Sequence, residues 1–298
     1  MALSTRLIRS RIKSVANTRK ITKAMELVAA AKMRKAIQLT LASRDYARTI
    51  RQVVVETSGL VDPNTHPLLA GRPTAKNTVL AIASSDRGLC GSFNAQLLRK
   101  AVDFLKSRNE SVSVVTVGKR AEQAVRRAGY PILAAFGSVS NAPSFDRSAP
   151  IGNLLYTEFT SGRADRIFVA YTDFKNALTQ IPMITQLLPT IPEAELKELT
   201  TMDDEEGKME LEEPKILFEP DAASLLDTLL PRLLEMQIYQ SLLESAASEH
   251  SARNTAMHSA TDNANNMLQD LTLTFNQARQ AMITREISEI SAGKAALE

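Results

Sequence analysis

Cysteine, tryptophan and helix breakers are the scarce residues in this chain, and each scarcity excludes something. The 298 residues hold one cysteine, Cys90, and no tryptophan. One thiol rules out an intrachain disulfide and a cysteine-based metal cluster, and it is compatible with a reducing compartment. Aromatics are 5% of a sequence that is 44% hydrophobic, so the apolar content is mostly aliphatic and alanine. That composition suits helix packed on helix and excludes a disordered chain. No stretch reaches the roughly 18 apolar residues of a membrane span, and the start lacks the apolar core of a signal peptide. Arg and Ser near the start have the flavour of a transit peptide, but they run straight into a helix pattern and read as mature sequence.

Glycine and proline are absent from residues 1–58, and residues 232–298 contain only Gly293. Runs this long without a breaker far exceed the ~12 residues of a mean globular helix, so both ends read as long helices. The first carries Ile8, Ile12, Val15, Ile21, Met25 and Val28 at helical spacing; the last carries Leu230, Leu234, Ile238, Leu242, Met267, Leu271, Phe275, Ala278 and Met282. A helix over 221–297 would be roughly 115 Å long, and Pro231 should kink or divide it. Small residues cluster at Ala29, Ala30 and Ala31 and again at Ala246, Ala247, Ala252, Ala256, Ala260 and Ala264, where backbones can approach closely. An antiparallel pair of first and last segments follows, with a domain inserted between them. The stripe is too irregular for a strict zipper with Leu at every d position.

The middle differs. "TVLAIASS" (78–85), "SVSVVTVG" (111–118) and "RIFVAYTDF" (166–174) are short β-branched runs, separated by the helical patterns "NAQLLRKAVDFLKS" and "KRAEQAVRRAG". Strand–helix alternation predicts a parallel α/β sheet, and "RIFVAYTDFKNALTQIPMITQLLP" predicts a hairpin at its edge. The fold class is therefore α/β: a long antiparallel coiled coil of terminal helices with an inserted Rossmann-like domain. Its expected parts are an N-terminal helix (1–58), a linker (59–77), the α/β domain (78–200), an acidic surface segment and connection (201–219), and a C-terminal helix (220–298).

Net charge is only +3, yet Arg6, Arg9, Arg11, Lys13, Arg19, Lys20 and Lys23 precede the first acid, Glu26. Such a stretch resembles a DNA-binding arm, and a basic helical nucleic-acid binder is the rival function. It is weakened because a basic-region zipper does not place its coil halves 200 residues apart. "SSDRGLCGSFN" (84–94) follows a strand and precedes a helix, as phosphate loops do, but Gly88 and Gly91 fit neither the dinucleotide nor the P-loop pattern. A tight turn, with Asp86 or Ser92 capping backbone donors, is the simpler expectation. His250 and His258 are two turns apart, too far for one metal, and are expected on an exposed helix face; Cys90 is expected to be small and buried. No catalytic constellation stands out, and neither cofactor nor metal is expected.

"RIKSVANTRKITKAMELVAAAKMRKA", "SSDRGLCGSFN" and "SEHSARNTAMHSATDNANNMLQDLTLTFNQARQAMITREISEISAG" together resemble the gamma-subunit family of F-type ATP synthases, of bacterial type. The resemblance spans essentially the whole chain. It implies a central rotor shaft that itself makes no bonds, standing inside a ring of three alpha and three beta subunits. The inserted domain would lie near the epsilon subunit and the membrane ring of c subunits. Ion-driven rotation would set each beta site's nucleotide affinity in turn. The location implied is peripheral, on the cytoplasmic face of the bacterial inner membrane, with no nucleic-acid partner.

Residue by residue, the resemblance places Lys20, Lys23, Met25, Arg253, Arg279, Gln280 and Thr284 against beta, and Phe218 and Glu219 against the c ring and epsilon. Ile287 and Ile290 would seat in an upper bearing. The redox-active cysteine pair of plastid gammas is excluded by the single thiol. The acidic stretch 201–214 matches no part of the family pattern.

Overall fold

The computed structural model describes residues 5–59, 61–62, 66–72, 75–190 and 221–295. In chain order the elements are α1 (Thr5–Ser58), β1 (Asn77–Ala83), α2 (Phe93–Lys106), β2 (Ser111–Val117), α3 (Lys119–Ala128), β3 (Ile132–Phe136), α4 (Phe145–Thr160), β4 (Arg166–Phe174), β5 (Gln180–Leu188) and α5 (Ala222–Ala295). The chain forms two compact units: Ala31–Ala252, and Met1–Ala30 with Arg253–Glu298. The expected fold class holds. The sequence patterns missed β3 and α4, because "ILAAF" has little β-branching and α4 carries Pro150 inside it.

In the larger unit the sheet order is β3-β2-β1-β4-β5, with β1 parallel to both β2 and β4, and β5 antiparallel to β4. Alternation along β1 sends Val79, Ala81 and Ala83 to one face and Leu80 and Ile82 to the other. The second face is covered by α2 and α3 through Leu97, Ala101, Leu105, Ala121 and Val125. The first is covered by α4 and by parts of α1 and α5, through Ile151, Leu155, Phe159, Ile50, Val54, Leu230 and Leu234. Each fully buried Leu or Phe here contributes about 2 kcal/mol of transfer free energy. Both sheet faces are therefore committed to core.

At the N-terminal end of the sheet, Arg72 donates to Asp165 Oδ1 at 2.8 Å and to the carbonyls of Ala164 and Phe159. Asp165 Oδ2 accepts from the backbone N–H groups of Lys76 and Asn77. The Arg72 hydrogen bond, with those backbone donors, brings the Asp165 pKa down to about 2 against the cost of burial. This node fixes the entry to β1.

The terminal helices follow a stricter rule than their apolar residues suggest. In the smaller unit the inward positions of α1 are Ile8, Ile12, Val15, Arg19, Thr22, Glu26 and Ala29, in alternating steps of four and three. In the larger unit the same steps continue through Met33, Ala36, Thr40, Ser43, Ala47, Ile50, Val54 and Thr57. This is an unbroken 3.5-residue period. Its occupants, not its spacing, depart from a leucine zipper. On α5 the smaller unit shows the matching series Asn254, Met257, Thr261, Ala264, Leu268, Leu271, Phe275 and Ala278. The apolar stripe expected from sequence departs from this seam at Ile21 and Val28 on α1 and at Met267 on α5, exposed at 60%, 56% and 52%, whereas Leu271, Phe275 and Ala278 keep to it; Met282 keeps the spacing but is 44% exposed. Polar Thr22, Glu26 and Thr261 take the inward places.

Two further expectations are corrected. α5 runs through Pro231 as one helix from Ala222 to Ala295 and is not divided there. His250 is buried, because α5 is enclosed at every position from Ser245 to Ser251, and its Nε2 lies 3.3 Å from the Asn141 carbonyl. His258 is exposed, as expected.

Gly118, between β2 and α3, has φ of +93°, and a Cβ there would lie 2.3 Å from the Ser84 carbonyl oxygen. Both backbone conformation and space demand glycine. Gly118→Ala is expected to destabilise the α/β unit by about 2–4 kcal/mol in urea unfolding of the full chain; an unchanged midpoint would show that the β1 and β2 ends separate freely.

Candidate functional site

In a doubly wound sheet, ligands bind outside the carboxyl ends of the strands, at the point where strand order reverses. Here that point is β1, flanked by β2 and β4, and the 84–94 loop leaves it. The loop's polar groups are spent on one another and on the neighbouring segments after β2 and β3. Asn94 Oδ1 accepts from the Ser85 N–H, and Asn94 Nδ2 donates to Cys90 Sγ at 3.0 Å. Asp86 accepts from the Lys119 N–H at 3.2 Å, capping α3, and from Ser140 Oγ at 3.0 Å. Of the two residues expected to cap backbone donors, Asp86 does so and Ser92, which precedes α2, makes no side-chain cap bond. Cys90 is buried. Ser245 on α5 donates to the Ala83 carbonyl at 2.9 Å, so a helix crosses the place a ligand would take. Among the described residues no His, Cys, Asp and Glu cluster could hold a metal.

The smaller unit carries the other candidates, arranged by an antiparallel register. Arg9 lies 5.7 Å over the Phe275 ring, Arg19 donates to Asn265 at 3.4 Å, and the Thr22 and Thr261 hydroxyls are 2.9 Å apart. Glu26 Oε1 is 3.3 Å from His258 Nδ1, and Asn254 donates to the Glu26 carbonyl at 3.0 Å. Numbers rise along α1 as they fall along α5. These rungs also answer the cationic stretch: Arg9, Arg19 and Lys23 are tied to partners inside the pair, which leaves less of it for phosphates.

Seven predicted contact positions fall into two groups. Lys20 is exposed, Lys23 is exposed and ion-paired to Glu26 at 2.9 Å, and Met25 and Arg253 are half-buried beside the Asn254–Glu26 rung. Arg279, Gln280 and Thr284 are exposed on α5. From Arg253 to Arg279 the helix rises about 39 Å, so the predicted positions lie in two separate stretches of α5. Phe218 and Glu219, like the acidic 201–214 stretch, lie outside the described residues. Glu26 itself was not singled out from sequence; counting strict steps of four and three from Ile8 would have found it.

The ATP synthase family model matches residues 4–297. The chain belongs to the ATP synthase gamma-chain family. It is 41% identical over 295 residues to the ATP synthase gamma chain of Pelotomaculum thermopropionicum, covering 99% of both chains. It is 42% identical over 290 residues to that of Heliobacterium modesticaldum, covering 97% of this chain and 98% of the other. Among solved structures it resembles a chain of the Tetrahymena thermophila mitochondrial ATP synthase central stalk and c ring, at TM-score 0.59 and 26% identity over 80% of this chain and 99% of that one. A chain of the Euglena gracilis enzyme shares the fold at TM-score 0.66 and 19% identity, covering 99% of this chain and 94% of the other. Among the described residues, no helix is long and apolar enough to cross a membrane.

The Glu26 rung predicts a pH dependence for this chain, its sign set by the direction of the Glu26 shift. The Lys23 hydrogen bond, aided by His258, lowers the Glu26 pKa against the cost of burial. A carboxyl lowered on folding stabilises the fold above its ordinary value, and that stabilisation is lost as pH falls through the lower folded-state value. Circular dichroism melts of the full chain into the acid range should therefore fall more steeply for the wild type than for Glu26→Gln. Parallel slopes would mean that the rung contributes nothing.

Proposed function

We infer that this chain is the central shaft of a rotary F-type ATP synthase, and that it couples ion-driven turning of a c ring to the nucleotide cycle of beta subunits. The observation that carries this is the antiparallel helical pair with exposed polar and cationic groups, in a chain that matches the family from end to end. Its partners are three alpha and three beta subunits, an epsilon subunit and the c ring. The shaft catalyses nothing itself and works from the cytoplasmic face of the bacterial inner membrane. In this division of labour residues 1–58 and 220–298 form the shaft, and 78–200 form the domain toward epsilon and the c ring.

Lys20, Lys23, Met25 and Arg253 form one zone toward beta, and Arg279, Gln280 and Thr284 form another. The Met282, Ile283, Ile287 and Ile290 side chains are exposed beyond the last seam position, Ala278, and supply the apolar end for the bearing. Phe218 and Glu219 are assigned to the c ring and epsilon on the family pattern alone. Exposed charges suit a turning part: solvent-exposed ion pairs contribute only about 0–1 kcal/mol each, so no single orientation is trapped. Long-range attraction to acidic loops still guides each zone. The nucleic-acid alternative has no comparable support, since its cationic stretch is partly consumed within the helical pair.

ATP hydrolysis by matched alpha and beta subunits, with and without this chain, tests the assignment. Wild type should stimulate turnover strongly, and an Arg279→Ala/Gln280→Ala pair should lose about tenfold or more of that stimulation if both side chains engage beta in a strained dwell. Absence of stimulation and of co-purification would refute the shaft. Full stimulation by the pair would remove the second contact zone only.

A further inference from the structure

The helix that fills the ligand crevice is fastened there in an ordered way. Ser245 Oγ donates to the Ala83 carbonyl at 2.9 Å, Ser248 Oγ to the Thr172 carbonyl at 3.1 Å, and Ser251 Oγ to the Ala177 carbonyl at 2.7 Å. The last β1–β4 pair is Ile82 with Ala170. The Ala83 and Thr172 acceptors therefore lie just past the point where the two strands stop pairing, and Ala177 lies in the hairpin turn beyond. Such acceptors need a partner once water is excluded. All three serines are buried, at 5%, 0% and 1% exposure.

Spacing explains why three serines reach three different backbones. Each three-residue step along an α-helix turns by about 300°, so the hydroxyls drift by roughly 60° per step around the axis. That drift carries the donors from the end of β1 to β4 and on to the β4–β5 turn. Between them Ala246 and Ala247 pack against Ala36, with Ile37 and Phe174 alongside, which lets the helix approach strand ends closely. A second fastening adds the neighbouring loop: His250 Nε2 is 3.3 Å from the Asn141 carbonyl, and Lys32 Nζ on α1 donates to Asn141 Oδ1 at 2.8 Å. Both terminal helices are thus pinned to the carboxyl end of the sheet within the larger unit.

We propose that Ser245, Ser248 and Ser251 form a torque joint, in which a crevice that other doubly wound folds give to ligands serves as a socket making the sheet and the helical pair of this unit turn as one body. The joint rests on the shaft assignment above. Side-chain-to-backbone bonds suit it, because the acceptors belong to the sheet itself and cannot swing away as a long side chain would. The serines are positioning residues for torque transfer and touch no substrate.

The test uses the assembled enzyme with its catalytic ring fixed to a surface and a probe on Arg127→Cys, which is exposed on α3, while native Cys90 is buried. The readout is the angular variance of the probe during catalytic pauses, measured on rotating molecules so that assembly yield does not enter. Ser245→Ala/Ser248→Ala/Ser251→Ala should raise that variance about twofold or more, with ATP turnover per ring unchanged, because three anchoring bonds of a compliant joint are gone. If the triple variant does not assemble, Ser251→Ala alone carries the same comparison with a smaller rise. Equal variance in variant and wild type would overturn the joint. A wild-type probe that does not rotate with ATP would overturn the shaft assignment, and the joint with it.

Discussion

One geometric constraint governs the terminal helices: two chain segments more than 160 residues apart in sequence must keep a 3.5-residue seam in antiparallel register. Alternating steps of four and three place a residue inward every half-heptad along α1. An apolar seam alone would tolerate sliding by a heptad, since one aliphatic rung resembles the next. The rungs Arg19–Asn265, Thr22–Thr261 and Glu26–His258 each need a particular partner. A slipped register would leave a buried hydroxyl or carboxylate unpaired, at a cost of about 1–3 kcal/mol each. Buried polar groups at seam positions are the best-attested means of fixing register. Glu26 Oε2 remains without a hydrogen-bond partner even so, which marks specificity rather than maximal stability as the gain.

The same economy shapes the α/β unit. Its strand order and parallel core are those of ligand-binding sheets, but the chain uses the carboxyl end differently. Asn94 and Ser85 close the loop on itself, Asp86 ties it to Lys119 and Ser140, and α5 donates to carbonyls at the carboxyl ends of β1 and β4. What the sheet offers is a rigid body with both faces packed. Gly118 lets the backbones after β1 and β2 meet closely enough to keep that end compact.

Much of this could be seen in the sequence, for physical reasons that also mark where it stops. The scarcity of Gly and Pro revealed the two long helices, and β-branching revealed β1, β2 and β4. β-branching could not reveal β3, whose alanine-rich "ILAAF" is a strand only because β2 offers an edge. Apolar residues point to the wrong line along α1, because spacing and not hydrophobicity defines the seam: Ile21 and Val28 sit outside it while Thr22 and Glu26 sit inside. Helical spacing puts His250 on an exposed face because burial by a loop distant in sequence, at Asn141, has no local signal. The proposed contact positions Lys20, Lys23, Arg279 and Gln280 are legible only through motif resemblance; all four are exposed, and the Lys23–Glu26 pair has no signal before the helix faces are known.

The most direct check of the seam is a disulfide across its central rung. Thr22→Cys/Thr261→Cys in the otherwise unchanged chain, oxidised and resolved by mass, should give a rapid and nearly complete intrachain cross-link, with Cys90 buried and silent. Thr22→Cys/Leu268→Cys, displaced by one heptad or about 10 Å of helix rise, should remain reduced under the same conditions. Equal cross-linking of both pairs would contradict a fixed register, and preferential closure of the displaced pair would contradict the register described here.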